Sequence, residues 1–243
     1  MKHRISVLFF TLVALIAGPL RAAGSVEQVL AKARAFLGSE SALTAVTAIH
    51  FTGMLEIDAN TKLPVDIVFQ KPFQQRITVI SPKFIEVTAL DDYDAWQKHT
   101  NPANPTQWQV TLLDAGQVKR LRANTWENLF FFAGIEKKGG SVQSGGDATA
   151  DGVACVKLSF VHADNIIFVR YFDKATGRLV RTETENGAEI REEGEMIVSG
   201  VRFPKKVINR ASDGTATTII FDRVELNAPV AGTEFAVPTF RSN

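Results

Sequence analysis

Residues that carry catalytic or metal-binding chemistry are few in this sequence, and they lie far apart. Beyond residue 22 the histidines are His50, His99 and His162, and the one cysteine is Cys155. Structural zinc sites need Cys and His residues at short, regular intervals, and the sequence has no such spacing. We therefore predict no metal site. Cys155 lies in the apolar stretch VACVKLSF, which is typical of a buried, unreactive thiol.

The acidic residues form two local groups, and neither has a catalytic pattern. Asp91, Asp92 and Asp94 lack the twelve-residue pattern of a calcium-binding loop, so we interpret them as a solvated turn. The glutamates in residues 189–195 are typical of the wet face or protected edge of a strand. The sequence also lacks a G-x-S-x-G motif and a phosphate-binding loop. These features predict that the protein is not an enzyme and uses no cofactor.

Aromatic residues are abundant where catalytic residues are not, with 17 Phe and 3 Trp. The segments IIFVRYF (166–172) and TTIIFDRVEL (217–226) are apolar on both faces. A sheet with one face in water would alternate between apolar and polar residues. We therefore expect helices or a ligand to cover both faces locally. Plain core packing is the alternative for each of these residues, because large apolar side chains usually fill cores.

Hydrophobic periodicity predicts the elements that must position these residues. Apolar spacing of three and four predicts helices over 25–37, 41–46 and 117–133, and Ser25 with Gln28 predicts a capping box. Alternation predicts eleven strands, near 49–57, 65–70, 75–80, 84–90, 93–98, 153–162, 165–173, 178–186, 189–198, 203–211 and 215–226. Short connections, including the Asn186-Gly187 turn, predict antiparallel neighbours. Residues 101–105 are predicted to form a loop, and the glycines in 139–146 a flexible patch.

These elements predict a mainly β fold with helices. An open sheet of about 11 strands tends to curl, so we expect a curled antiparallel sheet covered by α-helices. We find no repeat or linker, which predicts a single domain over residues 23–243. In the helix at 117–133 the residues Trp126, Leu129, Phe130 and Ala133 share one stripe, whereas Phe131 and Phe132 fall off it. The helix is therefore apolar on more than one side, and we predict that it is either sandwiched or forms a lid over something apolar.

The first 22 residues have the pattern of a cleaved signal peptide. A basic start precedes the apolar run ISVLFFTLVALIA and the small residues Ala22 and Ala23. The run is shorter than the roughly 20 residues of a spanning helix, so a membrane anchor is the weaker alternative. No Cys follows it as a lipid acceptor. We expect cleavage near Ala22 and a periplasmic location. The formal net charge is +1 with no basic block, which argues against a nucleic-acid partner.

The order helix, curled sheet, lid helix, sheet resembles the LolA/LolB superfamily of periplasmic lipoprotein carriers. It is especially similar to the group of outer-membrane lipoprotein-sorting proteins. The matching stretches cover most of residues 42–238: ALTAVTAIHFTGMLEI, FQKPFQQRITV, ALDDYDAWQ, QVKRLRANTWENLFFFAGIEKKGG, ADGVACVKLSF, RYFDKATGRLVRTET, GEMIVSGVRFPKKV and VELNAPVAGTEFAVP.

The resemblance implies an unclosed β-barrel with helices across its open side and an apolar cavity that takes acyl chains. It also implies that a basic residue before Pro holds the helical lid. Lys71, before Pro72, occupies that position, where the carriers favour Arg. We therefore predict that Lys71 donates hydrogen bonds to backbone carbonyls of a covering helical segment.

The predicted ligand-binding residues come from the sheet and from the lid helix. We expect Phe51, Phe69, Phe168 and Phe221 to project from strands toward one side of the sheet. Trp126 and Phe130 are expected to meet them from the lid helix, across a gap of several hundred Å³.

The predicted function is that of a periplasmic carrier, which binds lipid or lipoprotein acyl chains in outer-membrane lipoprotein sorting. We expect a monomer that exchanges cargo with a membrane-bound donor or acceptor protein. Two alternatives stay open: a lipid-sensing envelope regulator on the same fold, and an enzyme without a recognisable motif.

Overall fold

The computed structural model describes residues 25–163 and 166–239. The predicted signal peptide, residues 1–22, lies outside these residues. Within the described ranges no helix combines the length and the apolar character needed to cross a membrane.

The described residues form three α-helices, two short 3-10 helices and fifteen strands. The α-helices are α1 (Val26–Leu37), α2 (Glu40–Ala45) and α3 (Ala115–Phe130), and the 3-10 helices are Ile135–Lys138 and Gly232–Glu234. The strands are β1 (Ala48–Glu56), β2 (Lys62–Gln70), β3 (Gln74–Ile80), β4 (Ile85–Asp91), β5 (Asp94–Asn101), β6 (Asn104–Leu112), β7 (Ser141–Ala150), β8 (Val153–Ala163), β9 (Ile166–Asp173), β10 (Leu179–Thr184), β11 (Glu189–Glu193), β12 (Met196–Val198), β13 (Val201–Phe203), β14 (Lys206–Arg210) and β15 (Ala216–Leu226).

Thirteen strands form one open antiparallel sheet in the order β6-β5-β4-β3-β2-β1-β15-β14-β11-β10-β9-β8-β7. The mainly β, antiparallel architecture is as predicted, but the expected number of about 11 strands is too low. The sequence interpretation missed β6 and β7, the two edges of the sheet. Edge strands tolerate Pro and Gly because one side of the ladder needs no partner. Most of β6 is exposed, so its sequence lacks the alternation of a half-buried strand.

The helices begin where their capping residues place them. Ser25 and Gln28 form the predicted capping box of α1, and Asp114 and Gln117 form a second box at the start of α3. Helix α3 ends at Phe130, three residues before the predicted end, because the next residue adopts a left-handed conformation. The segment between β6 and β7 therefore carries α3 across the open side of the sheet.

The predicted strand over 189–198 is in fact two strands, separated at Gly194. After this break β12 and β13 leave the main sheet and form their own two-stranded ladder. A backbone bridge joins Gly38 to Val201, so this ladder packs on the end of α1. A Cβ atom at Gly38 would lie 2.5 Å from the carbonyl oxygen of Gly200, and only glycine permits this approach.

The two largest apolar clusters of the described core lie on the face of the sheet that carries the helices. The first joins β1, β2 and β15 to α2, β13 and the end of α3. The second joins β8 and β9 to α1, α3 and the 3-10 helix at Ile135–Lys138. The opposite face is also covered locally, since Trp96 on β5 donates a hydrogen bond of 2.8 Å from Nε1 to the carbonyl of the buried Phe235.

Candidate functional site

A cavity of about 290 Å³ lies where the two core clusters meet, beneath the C-terminal end of α3. Strands β1, β2, β3, β14 and β15, which are consecutive in the sheet, line it with aliphatic and aromatic side chains. Strands β11, β10 and β9 continue the same surface and add polar side chains. The cavity therefore has an apolar end and a polar end.

The four predicted strand phenylalanines all line this cavity. The ring centroid of Phe51 lies 4.6 Å from that of Phe221 and 6.4 Å from that of Phe69. Phe168 lines the cavity from β9, on the other core cluster. Period-two alternation places these side chains on one face, as the sequence interpretation expected.

The two predicted helix residues do not line the cavity, which corrects the sequence interpretation. Trp126 and Phe130 stack on each other with their ring centroids 3.6 Å apart. Phe73 lies 5.6 Å from Trp126, whose Nε1 donates to the carbonyl of Ala133 at 3.2 Å. The i, i+4 stripe therefore forms a separate aromatic cluster beside the cavity.

Phe131 and Phe132 line the cavity instead. They follow the end of α3 with φ angles of 50° and 70°, so their side chains leave the helical stripe. Phe131 packs against Phe203 of β13 at 6.3 Å, and Phe132 packs against Phe172 of β9 at 5.1 Å. Left-handed phenylalanines are strained and persist only where packing holds them, so helical periodicity could not reveal them.

Arg34, rather than Lys71, makes the predicted contact with the covering helix. Arg34 Nη1 donates to the carbonyl oxygens of Phe130 and Phe131 at 2.9 and 2.7 Å. Lys71 Nζ lies 4.9 Å from the centroid of the Phe130 ring, a cation–π contact on the side of the helix. Burial and the nearby charge of Arg34 lower the pKa of Lys71. The prediction for Lys71 was wrong in its hydrogen bonds, although the residue lies next to the same helix end.

A buried ionic cluster occupies the polar end of the cavity. The Glu127 carboxylate of α3 accepts hydrogen bonds from Nη1 of Arg170 on β9 and from Nε2 of His162 on β8. Burial would raise the pKa of Glu127, but the charge of Arg170 and the His162 hydrogen bond outweigh it and hold that pKa below its ordinary value. The guanidinium of Arg170 also lies over the Phe160 ring, 4.6 Å from its centroid. No sequence motif marks this cluster, because its members come from three separate elements.

Glu192 of β11 is the second acidic residue that lines the cavity. Its side chain is half-buried. It also lines a neighbouring groove of about 450 Å³, which lies between α1 and the end of β13 at Phe203 and Pro204. Burial raises the pKa of Glu192, and the charge of Arg170 only partly opposes this effect. Glu192 therefore lies at the boundary between the cavity and the neighbouring groove.

The other candidate residues have ordinary structural roles. His50 bonds Asp66 through Nε2 at 2.5 Å, and His99 bonds Glu86 at 2.7 Å. Cys155 is fully buried, and burial raises the pKa of its thiol. Across residues 25–163 and 166–239, His, Cys, Asp and Glu side chains do not gather in groups of three that could hold a metal ion.

No protein-family model matches the sequence, and no curated protein matches it. Solved structures do resemble it. A LolA superfamily protein from Nitrosomonas europaea aligns with a TM-score of 0.56, over 88% of this chain and 99% of the other. A domain from Vibrio parahaemolyticus, described as an outer membrane lipoprotein-sorting protein, aligns with a TM-score of 0.55 over 86% and 94%. A DUF1329 family protein from Desulfovibrio piger also has a TM-score of 0.55, over 87% and 97%.

All three structures are 11% identical to this chain in sequence, so the likeness concerns the fold. The likenesses extend over nearly the whole of each compared chain. Together with the open thirteen-stranded sheet and the helix that crosses its open side, they show that this chain has a LolA/LolB-like fold.

Proposed function

We propose that the protein is a periplasmic carrier that binds an acyl chain of a lipid or lipoprotein in the cavity beneath α3. The observation that carries this proposal is the aromatic lining of the 290 Å³ cavity, to which both core clusters contribute. A tightly packed core would leave no such space.

The energetics support an acyl ligand. Each methylene that moves from water into an apolar site contributes about 0.8 kcal/mol, so a chain of about ten methylenes could gain about 8 kcal/mol. Such binding needs no bond to be made or broken. The cavity volume lies near the lower end of the range for small-molecule pockets, about 300–1,000 Å³. We therefore propose that one chain, rather than several, occupies the cavity.

The fold is consistent with this role, since one similar structure is described as an outer membrane lipoprotein-sorting protein. We propose further that export through the N-terminal signal brings the mature chain to the periplasm. A membrane-bound donor or acceptor protein would then load or unload the cargo.

A cavity-filling substitution tests the proposal. Ile190 is half-buried and lines the cavity, so Ile190→Trp should place an indole in the ligand space. The assay is the fluorescence of N-phenyl-1-naphthylamine, a neutral apolar probe, titrated with the mature protein. We expect the wild type to bind the probe and Ile190→Trp to bind it at least tenfold more weakly.

The matched control is Ile57→Trp, which adds the same side chain at an exposed position outside the cavity. Circular dichroism melts would establish that both variants fold. The proposal fails if the wild type does not bind the probe, or if both variants bind it as the wild type does. Mass spectrometry of lipids that co-purify from the periplasm would identify the cargo.

A further inference from the structure

The polar end of the cavity contains an unused hydrogen-bond donor. Arg170 is 6% exposed and lines the cavity. Its Nη1 donates to Glu127, whereas its buried Nε makes no hydrogen bond within the described part of the chain. A buried donor without a partner carries a desolvation penalty, which is larger for a charged group. Such a donor indicates a site that a ligand atom completes.

The sheet register places further polar groups beside this donor. Thr182 of β10 is directly opposite Arg170 of β9 and Ile190 of β11 in the ladder. All three residues line the cavity, and so does Glu192, two positions beyond Ile190 on the same face of β11. The polar groups therefore form one patch on three adjacent strands, whereas the five strands beyond it contribute only apolar side chains to the described lining.

We propose that this patch binds the carboxylate or carbonyl oxygen of an acyl compound, with Arg170 Nε as the donor and the chain extending toward Phe51 and Phe221. This inference rests on the proposed function and adds a head-group contact to it. The ligand class is then a single acyl chain with an acceptor at its end, either a free fatty acid or an acyl ester.

The charges around the patch agree with an acceptor ligand. Glu127 balances Arg170, and His162 also bonds Glu127, so the cluster does not repel an anion. Among the described residues, Glu192 is the one further acidic group that lines the cavity, and burial raises its pKa.

The test compares three ligands of equal chain length by their displacement of N-phenyl-1-naphthylamine: dodecanoate, methyl dodecanoate and 1-dodecanol. In the wild type we expect dodecanoate to displace the probe at concentrations at least tenfold lower than dodecanol does. A hydrogen bond from a charged donor supports a preference of this size. Methyl dodecanoate distinguishes a free fatty acid from an acyl ester as the ligand. It displaces the probe as well as dodecanoate does only if the acyl carbonyl is sufficient for the hydrogen bond with Arg170.

Two cavity variants and one control locate the contact. Arg170→Met combined with Glu127→Gln removes the guanidinium without leaving a buried unpaired carboxylate, and the acid preference should fall to within about threefold of dodecanol. Arg170→Lys keeps a positive charge beside Glu127 but lacks the Nε donor, so it should reduce the preference for dodecanoate over dodecanol without changing the affinity for dodecanol. Glu225→Gln, a partly exposed glutamate that pairs with Arg223 outside the cavity, should change neither.

The outcomes distinguish the two proposals. If dodecanol binds but dodecanoate and its ester have no advantage, the head-group contact is wrong and the carrier function stands. If the preference persists in the double variant, Arg170 is not the donor. If the double variant does not fold, Arg170→Lys decides, and an unchanged preference for dodecanoate overturns the proposal. If none of the three ligands displaces the probe, both proposals fail.

Discussion

Arg34 holds the end of α3 above the cavity, and its removal should loosen that end. Its side chain is 13% exposed, and Nη1 donates to two backbone carbonyls, those of Phe130 and Phe131. The last carbonyls of a helix have no partner within the helix, and a cation there also interacts favourably with the helix dipole. Arg34 thus satisfies the carbonyl of Phe131 and adds a second donor to that of Phe130, which also accepts from the backbone N–H of Ala133 at 3.1 Å.

The magnitude follows from these contacts. A hydrogen bond that involves a charged group contributes about 1.5–3 kcal/mol, and partial rehydration of the carbonyls should reduce the sum of the two. We expect Arg34→Met to lower the free energy of unfolding by about 2–4 kcal/mol. The ion pair with Glu40 adds little, because the Glu40 side chain is 68% exposed and surface pairs contribute about 0–1 kcal/mol.

Urea denaturation at 25 °C, followed by tryptophan fluorescence, measures this change. Glu40→Gln is the matched control, since it removes the ion pair but leaves both carbonyl contacts, and we expect it to cost less than about 1 kcal/mol. The reasoning is refuted if Arg34→Met costs no more than Glu40→Gln.

Three further outcomes follow from the structure. Glu127→Gln should lower the free energy of unfolding by about 3–5 kcal/mol in thermal melts, because it leaves Arg170 buried beside a neutral partner. Recovery of stability in the double variant with Arg170→Met would support this cause, and an unchanged melting temperature in Glu127→Gln would contradict it. Glu192→Gln should stabilise the protein more at pH 8 than at pH 4. Above its ordinary pKa of 4.5 the carboxyl ionises in the unfolded chain, and burial raises its pKa in the folded protein, so the stability of the wild type decreases as pH rises above 4.5. Equal effects at the two pH values would show that Glu192 does not titrate in this way. Gly53→Ala should lower the free energy of unfolding by about 2 kcal/mol or more in urea denaturation, since its Cβ would lie 2.1 Å from the carbonyl oxygen of Ile220 at the β-bulge between β1 and β15. An unchanged free energy of unfolding would mean that the bulge adjusts freely.

The sequence by itself determined the features that depend on neighbours within a few residues. The capping box of Ser25 and Gln28 needs only a spacing of three. The turn at Asn186-Gly187 needs a residue that accepts a positive φ, and Gly187 has a φ of 80°. Alternation along β1 and β15 assigned Phe51 and Phe221 to one face, because each strand has a period of two whatever it packs against.

Only the tertiary structure decided which groups complete the site. Arg34 reaches carbonyls 96 and 97 residues away, and Arg170 reaches Glu127 across 43 residues. Such contacts have no fixed spacing, so no local pattern distinguishes Arg34 from Lys71 as the partner of the helix end. The positions of Phe131 and Phe132 likewise depend on a left-handed turn held by packing against other strands, which overrides the helical stripe of Trp126 and Phe130.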